Sequence, residues 1–242
     1  RSSLMIIFPA IDIKNGNCVR LYKGVMNTAE KVADDFLSAA DSFYSCGAKW
    51  IHMVDLDGAV KGEKVNSGIF TTVAEKTGLR VELGGGIRTM ADVEYYLSRG
   101  ISRVIIGSAA LKNPDLVREA AKKYGEKIAV GIDARRGMVA AEGWLETSDI
   151  SYIELAKRME DVGVRYIIYT DIDCDGMLSG PNLRELTLLN DAVSCNITAS
   201  GGIKDSGDIK ALKDAGLYGA ICGRSIYKGT LDLREALEIC RE

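Results

Sequence analysis

One segment of this 242-residue chain occurs twice. Val81–Leu111 (VELGGGIRTMADVEYYLSRGISRVIIGSAAL) and Ile197–Tyr227 (ITASGGIKDSGDIKALKDAGLYGAICGRSIY) align without a gap at an offset of 116 (197 − 81). Gly85/Gly201, Gly86/Gly202, Ile87/Ile203, Asp92/Asp208, Gly100/Gly216, Ile105/Ile221 and Gly107/Gly223 are identical, and Arg88/Lys204 is conservative. The same offset pairs Asp55 with Asp171 and Asp57 with Asp173, while Ile11-Asp12 with Gly16 matches Ile132-Asp133 with Gly137 at 121. Chance likeness gives scattered matches with gaps. An ungapped register points to a duplicated half, with each feature recurring across a pseudo-twofold axis.

Short apolar runs alternate with amphipathic stretches eight times: Ile6–Asp12, Trp50–Asp55, Arg80–Gly84, Arg103–Gly107, Lys127–Asp133, Arg165–Asp171, Asn196–Ser200 and Gly219–Gly223. Such runs suit parallel strands covered on both faces. Pro9 removes a ladder hydrogen bond, so a local distortion is expected there. Helix signals fill the gaps: Asn113-Pro114 as cap and first-turn proline, Ser151 and Glu154 at capping-box spacing, and Gly125, Gly163 and Gly216 as stops. Strand–helix alternation in this length implies an α/β fold, a (β/α)8 TIM barrel built from two similar half-barrels. It is read as a single domain over residues 1–242, with Arg1-Ser2-Ser3-Leu4 as a vector-derived remnant ahead of a natural start at Met5.

Barrel active sites lie at the C-terminal ends of the strands. There, Gly84-Gly85-Gly86-Ile87-Arg88 follows the third run and Gly107-Ser108 the fourth, while Gly201-Gly202-Ile203 follows the seventh and Gly223-Arg224-Ser225 the eighth. Glycines after a strand let backbone N–H groups close on an anion. One pair alone could simply make tight turns. Two pairs at a fixed offset predict a ligand carrying two phosphates, separated by about the width of the barrel mouth.

Asp12 and Asp133 end the first and fifth runs on opposite sides. A carboxylate ending an apolar strand is costly to bury without purpose, and two facing ones can divide acid and base duties. Asp55 and Asp171 form a second symmetric pair, so periodicity alone does not choose between them. Thr170 and Asp175 are pocket-lining candidates. Asp173-Cys174-Asp175-Gly176 lacks the remaining acids of a calcium loop. His52 reads equally as structural or functional, and Trp144 as core or as a stacking platform. The stretch Lys14–Asn27 reads as a long loop able to close over a ligand.

A net charge of −3 offers no footprint for nucleic acid or an anionic membrane. No apolar run approaches the ~18 residues of a membrane helix, and no secretory signal pattern is present. Cys18, Cys46, Cys174, Cys195, Cys222 and Cys240 form no C-x-x-C pair, and His52 is the single histidine, so no Cys/His zinc site is expected. Scattered cysteines read as buried free thiols in a reducing cytoplasm.

Pro9-Ala10-Ile11-Asp12, Val19-Arg20-Leu21, His52-Met53-Val54-Asp55-Leu56, Gly84-Gly85-Gly86-Ile87-Arg88, Gly143-Trp144, Thr170-Asp171-Ile172, Asp175-Gly176 and Ser200-Gly201-Gly202-Ile203 occur in order across nearly the whole chain. Together they resemble the histidine-biosynthesis isomerases that act on phosphoribosylformimino-5-aminoimidazole carboxamide ribotide. The resemblance implies an Amadori rearrangement, aminoaldose to aminoketose, on a small-molecule ribotide with a phosphate at each end. It places Asp12 as the general base at C2 and Asp133 as the general acid that opens the ribose ring, roles that symmetry leaves interchangeable. Thr170 and Asp175 would assist, and Arg20, His52 and Trp144 would hold the heterocyclic end. Such proton transfers require no cofactor or metal, and a monomer is expected. Three other readings stay open: a dual-specificity isomerase also taking phosphoribosylanthranilate, its carboxylate met by arginines such as Arg20, Arg88, Arg135 or Arg136; the related cyclase-type lyase, which usually carries Cys-Leu-Asp in place of Ala10-Ile11-Asp12 and needs ammonia from a glutaminase docked below the barrel; and a non-catalytic phosphoribosyl-binding barrel.

Overall fold

Every apolar run found in the sequence is a strand of one closed parallel ring. The computed structural model describes residues 4–22, 25–33, 35–141 and 146–241. Its first half runs β1 (Ile6–Lys14), β2 (Asn17–Tyr22), β3 (Val25–Ala33), α1 (Phe36–Ser45), β4 (Trp50–Asp55), α2 (Leu56–Lys61), α3 (Ser67–Lys76), β5 (Arg80–Gly84), α4 (Met90–Leu97), β6 (Arg103–Ile106), α5 (Ser108–Lys112) and α6 (Pro114–Tyr124). The second runs β7 (Ile128–Arg135), β8 (Met138–Ala141), β9 (Glu146–Ser151), α7 (Tyr152–Asp161), β10 (Tyr166–Asp171), α8 (Leu183–Ala192), β11 (Asn196–Ser200), α9 (Ser206–Asp214), β12 (Gly219–Cys222), α10 (Arg224–Lys228) and α11 (Leu233–Arg241). The halves share one plan, including a short helix after the fourth strand of each.

The ring order is β1-β4-β5-β6-β7-β10-β11-β12, closed by parallel pairing of β12 with β1. This is a (β/α)8 barrel. Alternate residues separate two cores, as the period of a strand demands. Ile7, Ile51, Met53, Leu83, Ile106, Ile132, Ile167 and Ile197 pack outward under the helices. Phe8, Trp50, Ile105, Ala129, Ile168, Tyr218 and Ile221 fill the barrel interior.

The sequence signals act where they were read. Asn113 caps α6 by accepting from Leu116 N, with Pro114 in its first turn, and Ser151 caps α7 by accepting from Glu154 N. Strand β1 runs unbroken through Pro9, so the expected distortion does not interrupt it. Its ladder to β12 ends at Pro9↔Cys222, and its ladder to β4 starts at Ala10↔His52.

One expectation is corrected. The described part of Lys14–Asn27 is mostly strand and not open loop: β2 folds back antiparallel on β1, and β3 on β2. The same happens after β7, where β8 and β9 continue as an antiparallel ribbon. Four cysteines (18, 195, 222 and 240) are buried free thiols, while Cys46 and Cys174 are only partly buried. Among the described residues, no helix is long and apolar enough to cross a membrane.

Candidate active site

A cavity of about 280 Å3 opens at the C-terminal ends of the barrel strands. Asp12, Arg20, His52, Gly85, Gly86, Arg88, Gly107, Ser108, Asp133, Thr170, Asp175, Gly201, Gly202, Gly223 and Arg224 all line it. Ser225 is buried next to the wall residue Arg224, its Oγ without a hydrogen-bond partner among the described residues. Trp144 lies outside the described residues.

The register makes the two aspartates equivalent. Asp12 on β1 sits beside Val54 of β4, and Asp133 on β7 beside Thr170 of β10. Val54 and Thr170 are themselves 116 apart (170 − 54). Asp55 and Asp171 do something else. Asp55 accepts from Gly58 N and from Asn66 Nδ2, both at 2.9 Å. Asp171 accepts from Asp173 N at 2.9 Å and from Asn182 Nδ2 at 2.7 Å. Both turn inward on their own loops and neither reaches the cavity wall. The second symmetric pair is a fastener for the turns after β4 and β10, as expected of aspartates that bond backbone N–H groups.

Paired glycines are demanded by close backbone approach. Gly85 and Gly201 have φ of +108° and +97°, and a Cβ on either would press on the carbonyl of Asp55 or Asp171. A Cβ on Gly86 or Gly202 would collide with the carbonyl of Gly58 or Gly180. The turns after neighbouring strands are thus stacked backbone on backbone. Asp92 and Asp208 hold the next residues, accepting from Arg88 N at 3.0 Å and Lys204 N at 2.9 Å. Gly107 and Gly223 differ from these: each precedes a short helix, with φ of −98° and −123°. Arg88 and Arg224 brace the two sides, donating to Ala59 O at 2.9 Å and to Gly176 O at 3.1 Å.

Arg20, on β2, donates to Asp12 Oδ2 at 2.8 Å. Burial works against its charge, but Asp12, Tyr227 and Asp175 outweigh that and hold the guanidinium protonated. Asp175, in the turn after β10, has its carboxyl pushed up to about 7, first by burial and then by Asp12 and Asp133, with Arg20 and His52 opposing. A carboxyl that exchanges its proton near neutrality suits acid–base work.

Several supporting residues carried a signal that went unread. Asn66 and Asn182 are a further identical pair at the 116 offset (182 − 66). Glu82 and Arg103 stand out as charges inside apolar strands. His52 Nδ1 lies 3.0 Å from Glu82 Oε1, and Arg103 Nη1 donates to Glu82 Oε2 at 3.2 Å.

Paired glycine loops and two strand-end carboxylates, all lining one cavity at the C-terminal mouth of a parallel barrel, are the arrangement of a (β/α)8-barrel enzyme. The chain belongs to the histidine biosynthesis protein family, whose profile matches residues 6–232. It is similar to proteins named 1-(5-phosphoribosyl)-5-((5-phosphoribosylamino)methylideneamino) imidazole-4-carboxamide isomerase. That of Clostridium novyi (strain NT) is 52% identical over 235 residues, 97% of this chain and 99% of its own. That of Clostridium botulinum (strain Kyoto / Type A2) is 52% identical, covering 97% of both chains. That of Listeria welshimeri serovar 6b is 51% identical, covering 97% of this chain and 98% of its own.

Proposed function

We propose that this chain is the histidine-biosynthesis isomerase that rearranges phosphoribosylformimino-5-aminoimidazole carboxamide ribotide from aminoaldose to aminoketose. Both glycine-loop pairs and both strand-end aspartates line one cavity, and this observation carries the reading. The loops after β5 and β6 would hold one phosphate, and those after β11 and β12 the other. Backbone N–H groups and the N-termini of α5 and α10 would supply the donors.

The chemistry needs one acid and one base on the same sugar. Asp133 gives a proton to the ribose ring oxygen, the C1–O bond breaks, and a protonated Schiff base forms at C1. Asp12 takes the proton from C2, and the C–H electron pair flows into the C1–C2 bond to give an enaminol. Loss of the C2 hydroxyl proton and protonation at C1 then yield the ketone. Asp175, with its carboxyl near neutrality, can ferry these protons, and Thr170 adjoins Asp133 in register. Arg20 and His52, with Trp144, hold the heterocyclic end.

The barrel floor supports the isomerase over the cyclase-type lyase, which would admit ammonia from below. Phe8, Trp50, Tyr166 and Tyr218 fill it, with ring centroids 5.6 Å apart for Phe8–Trp50 and 5.3 Å for Tyr166–Tyr218. Arg103 packs 3.9 Å from the Tyr166 ring and 4.7 Å from Trp50. All the described cavity-lining residues come from one chain, and the same reading takes the protein as a single-domain, cytoplasmic monomer. Purified protein assayed side by side with the ribotide and with phosphoribosylanthranilate tests the reading. Turnover of the ribotide alone is expected. Turnover of both makes the enzyme dual-specific, and no turnover of the ribotide defeats the proposal.

A further inference from the structure

A barrel with matched cradles has a problem its symmetry creates: a ligand with a phosphate at each end can enter in two orientations. Something off the twofold pattern must choose. Side by side on three adjacent strands of the first half stand His52, Glu82 and Arg103, in register as His52↔Glu82 and Glu82↔Arg103. The offset of 116 maps them onto Ile168, Thr198 and Gly219. These too are in register, as Ile168↔Thr198 and Thr198↔Gly219. The backbones match, yet one side carries an imidazole and an ion pair, and the other carries none.

The polar trio is deeply set. Glu82 and Arg103 side chains are 1% and 5% exposed. Arg103 is clasped between Trp50, Tyr166 and Tyr218 and also donates to Glu126 O at 3.2 Å. This fixes Glu82 as a charged acceptor. Its other oxygen faces His52 Nδ1 at 3.0 Å, so that nitrogen carries the hydrogen. Nε2 remains for the cavity, which His52 lines. On the opposite wall, Ile168 lines the same cavity with an apolar surface.

We propose that Glu82, clamped by Arg103, is a positioning residue: it fixes the His52 ring with Nε2 toward the pocket and so seats the bisphosphorylated substrate in one of two orientations. The heterocyclic end is drawn to the His52 side, and the sugar to be rearranged lies toward Asp133. The identity of the ligand rests on the isomerase reading above. The Glu82–His52 contact does not.

The single histidine makes a direct test. In tag-free protein carrying 15N-labelled histidine, two-bond 1H–15N correlations report which ring nitrogen holds the proton. Two double variants, each free of a stranded buried charge, are compared with wild type: Glu82→Leu with Arg103→Met, and Glu82→Gln with Arg103→Met. Wild type and the Gln variant, which keeps a neutral acceptor, are expected to hold the proton on Nδ1. The Leu variant is expected to lose that preference. Its kcat should fall roughly tenfold or more below that of the Gln variant as reversed binding competes at saturation. A merely structural role predicts the opposite order, because leucine suits an apolar interior better than glutamine, and melting temperatures recorded in parallel expose that case. An unchanged histidine spectrum in the Leu variant overturns the proposal, as does a kcat equal to that of the Gln variant. Failure of wild type to turn over the ribotide overturns the isomerase reading instead, and the spectrum then decides the positioning alone.

Discussion

Arg20 occupies the space that a side chain on Gly223 would take: a Cβ built there falls on Arg20 Nη2. The symmetric Gly107 has none of the described residues within 4 Å of such a Cβ. Two positions alike in sequence are therefore filled differently, one by a guanidinium bonded to Asp12 and one by open cavity. Gly223→Ala must displace Arg20 and break its 2.8 Å bond to Asp12. The expected result is a loss of about tenfold or more in kcat/KM, as follows from losing a charged hydrogen bond. Gly107→Ala should fold normally and chiefly raise KM, because its methyl group enters the space offered to phosphate. Steady-state kinetics with parallel thermal melts check both. Unchanged kinetics in Gly223→Ala would remove Arg20 from the site.

Asp12→Asn and Asp133→Asn should each lower kcat by about a hundredfold or more while leaving the fold intact. The two roles separate by isotope effect. With C2-deuterated ribotide, Asp12→Asn should show an enlarged effect, because proton abstraction becomes limiting. Asp133→Asn should show a diminished one, because ring opening then limits. Reversed effects would exchange the assignments, and near-normal turnover in either variant would end the acid–base scheme.

The barrel was legible because its strands are apolar on both faces and its halves repeat. Trp50–Asp55 and Asn196–Ser200 coincide with β4 and β11 residue for residue. The ribbons β2–β3 and β8–β9 were not, since their stability comes from ladder hydrogen bonds that leave no hydrophobic period. Val25–Ala33 is mostly exposed and reads as loop. Symmetry also proved too generous a guide to the carboxylates. Asp12 and Asp55 look alike as strand ends, and only the turn after β4, which brings Gly58 N and Asn66 onto Asp55, tells them apart. Glu82 was passed over for a related reason: a charge inside a strand pattern reads as noise until its partners His52 and Arg103 are seen beside it.

The glycine loops carry a second lesson, about stability. From sequence, a bulky residue at Gly86 or Gly202 should act on substrate affinity. The structure redirects that expectation. Gly86 has φ +76°, and its Cβ would strike the backbone carbonyl of Gly58. Gly202 has φ +81° and meets Gly180 O in the same way. Backbone cannot move aside as a flexible side chain does. Gly86→Ala and Gly202→Ala should each cost about 1–3 kcal/mol of stability, the range for strained left-handed positions, or more with the clash added. Urea denaturation measures this. Variants with wild-type midpoints and a raised KM alone would restore the simpler view.

Asp175 should leave a mark on the pH dependence of stability. Burial, with Asp12 and Asp133 nearby, pushes its carboxyl from an ordinary 3.8 to about 7. In that interval the folded chain keeps a proton that the unfolded chain releases. The folded state therefore binds more protons at this site, and the contribution of Asp175 to stability falls as pH rises from about 4 to about 7. One proton contributes a slope of at most about 1.4 kcal/mol per pH unit. Above that window the carboxylate is charged in both states, and the penalty is constant. Asp175→Asn cannot titrate, so its slope over the same window should be less negative than that of wild type, and its stability relative to wild type should be greater at pH 8 than at pH 4.5. Urea midpoints across that range give both slopes. Parallel curves for the two proteins would place the proton on a different group and withdraw Asp175 as the neutral-pH carboxyl of the site.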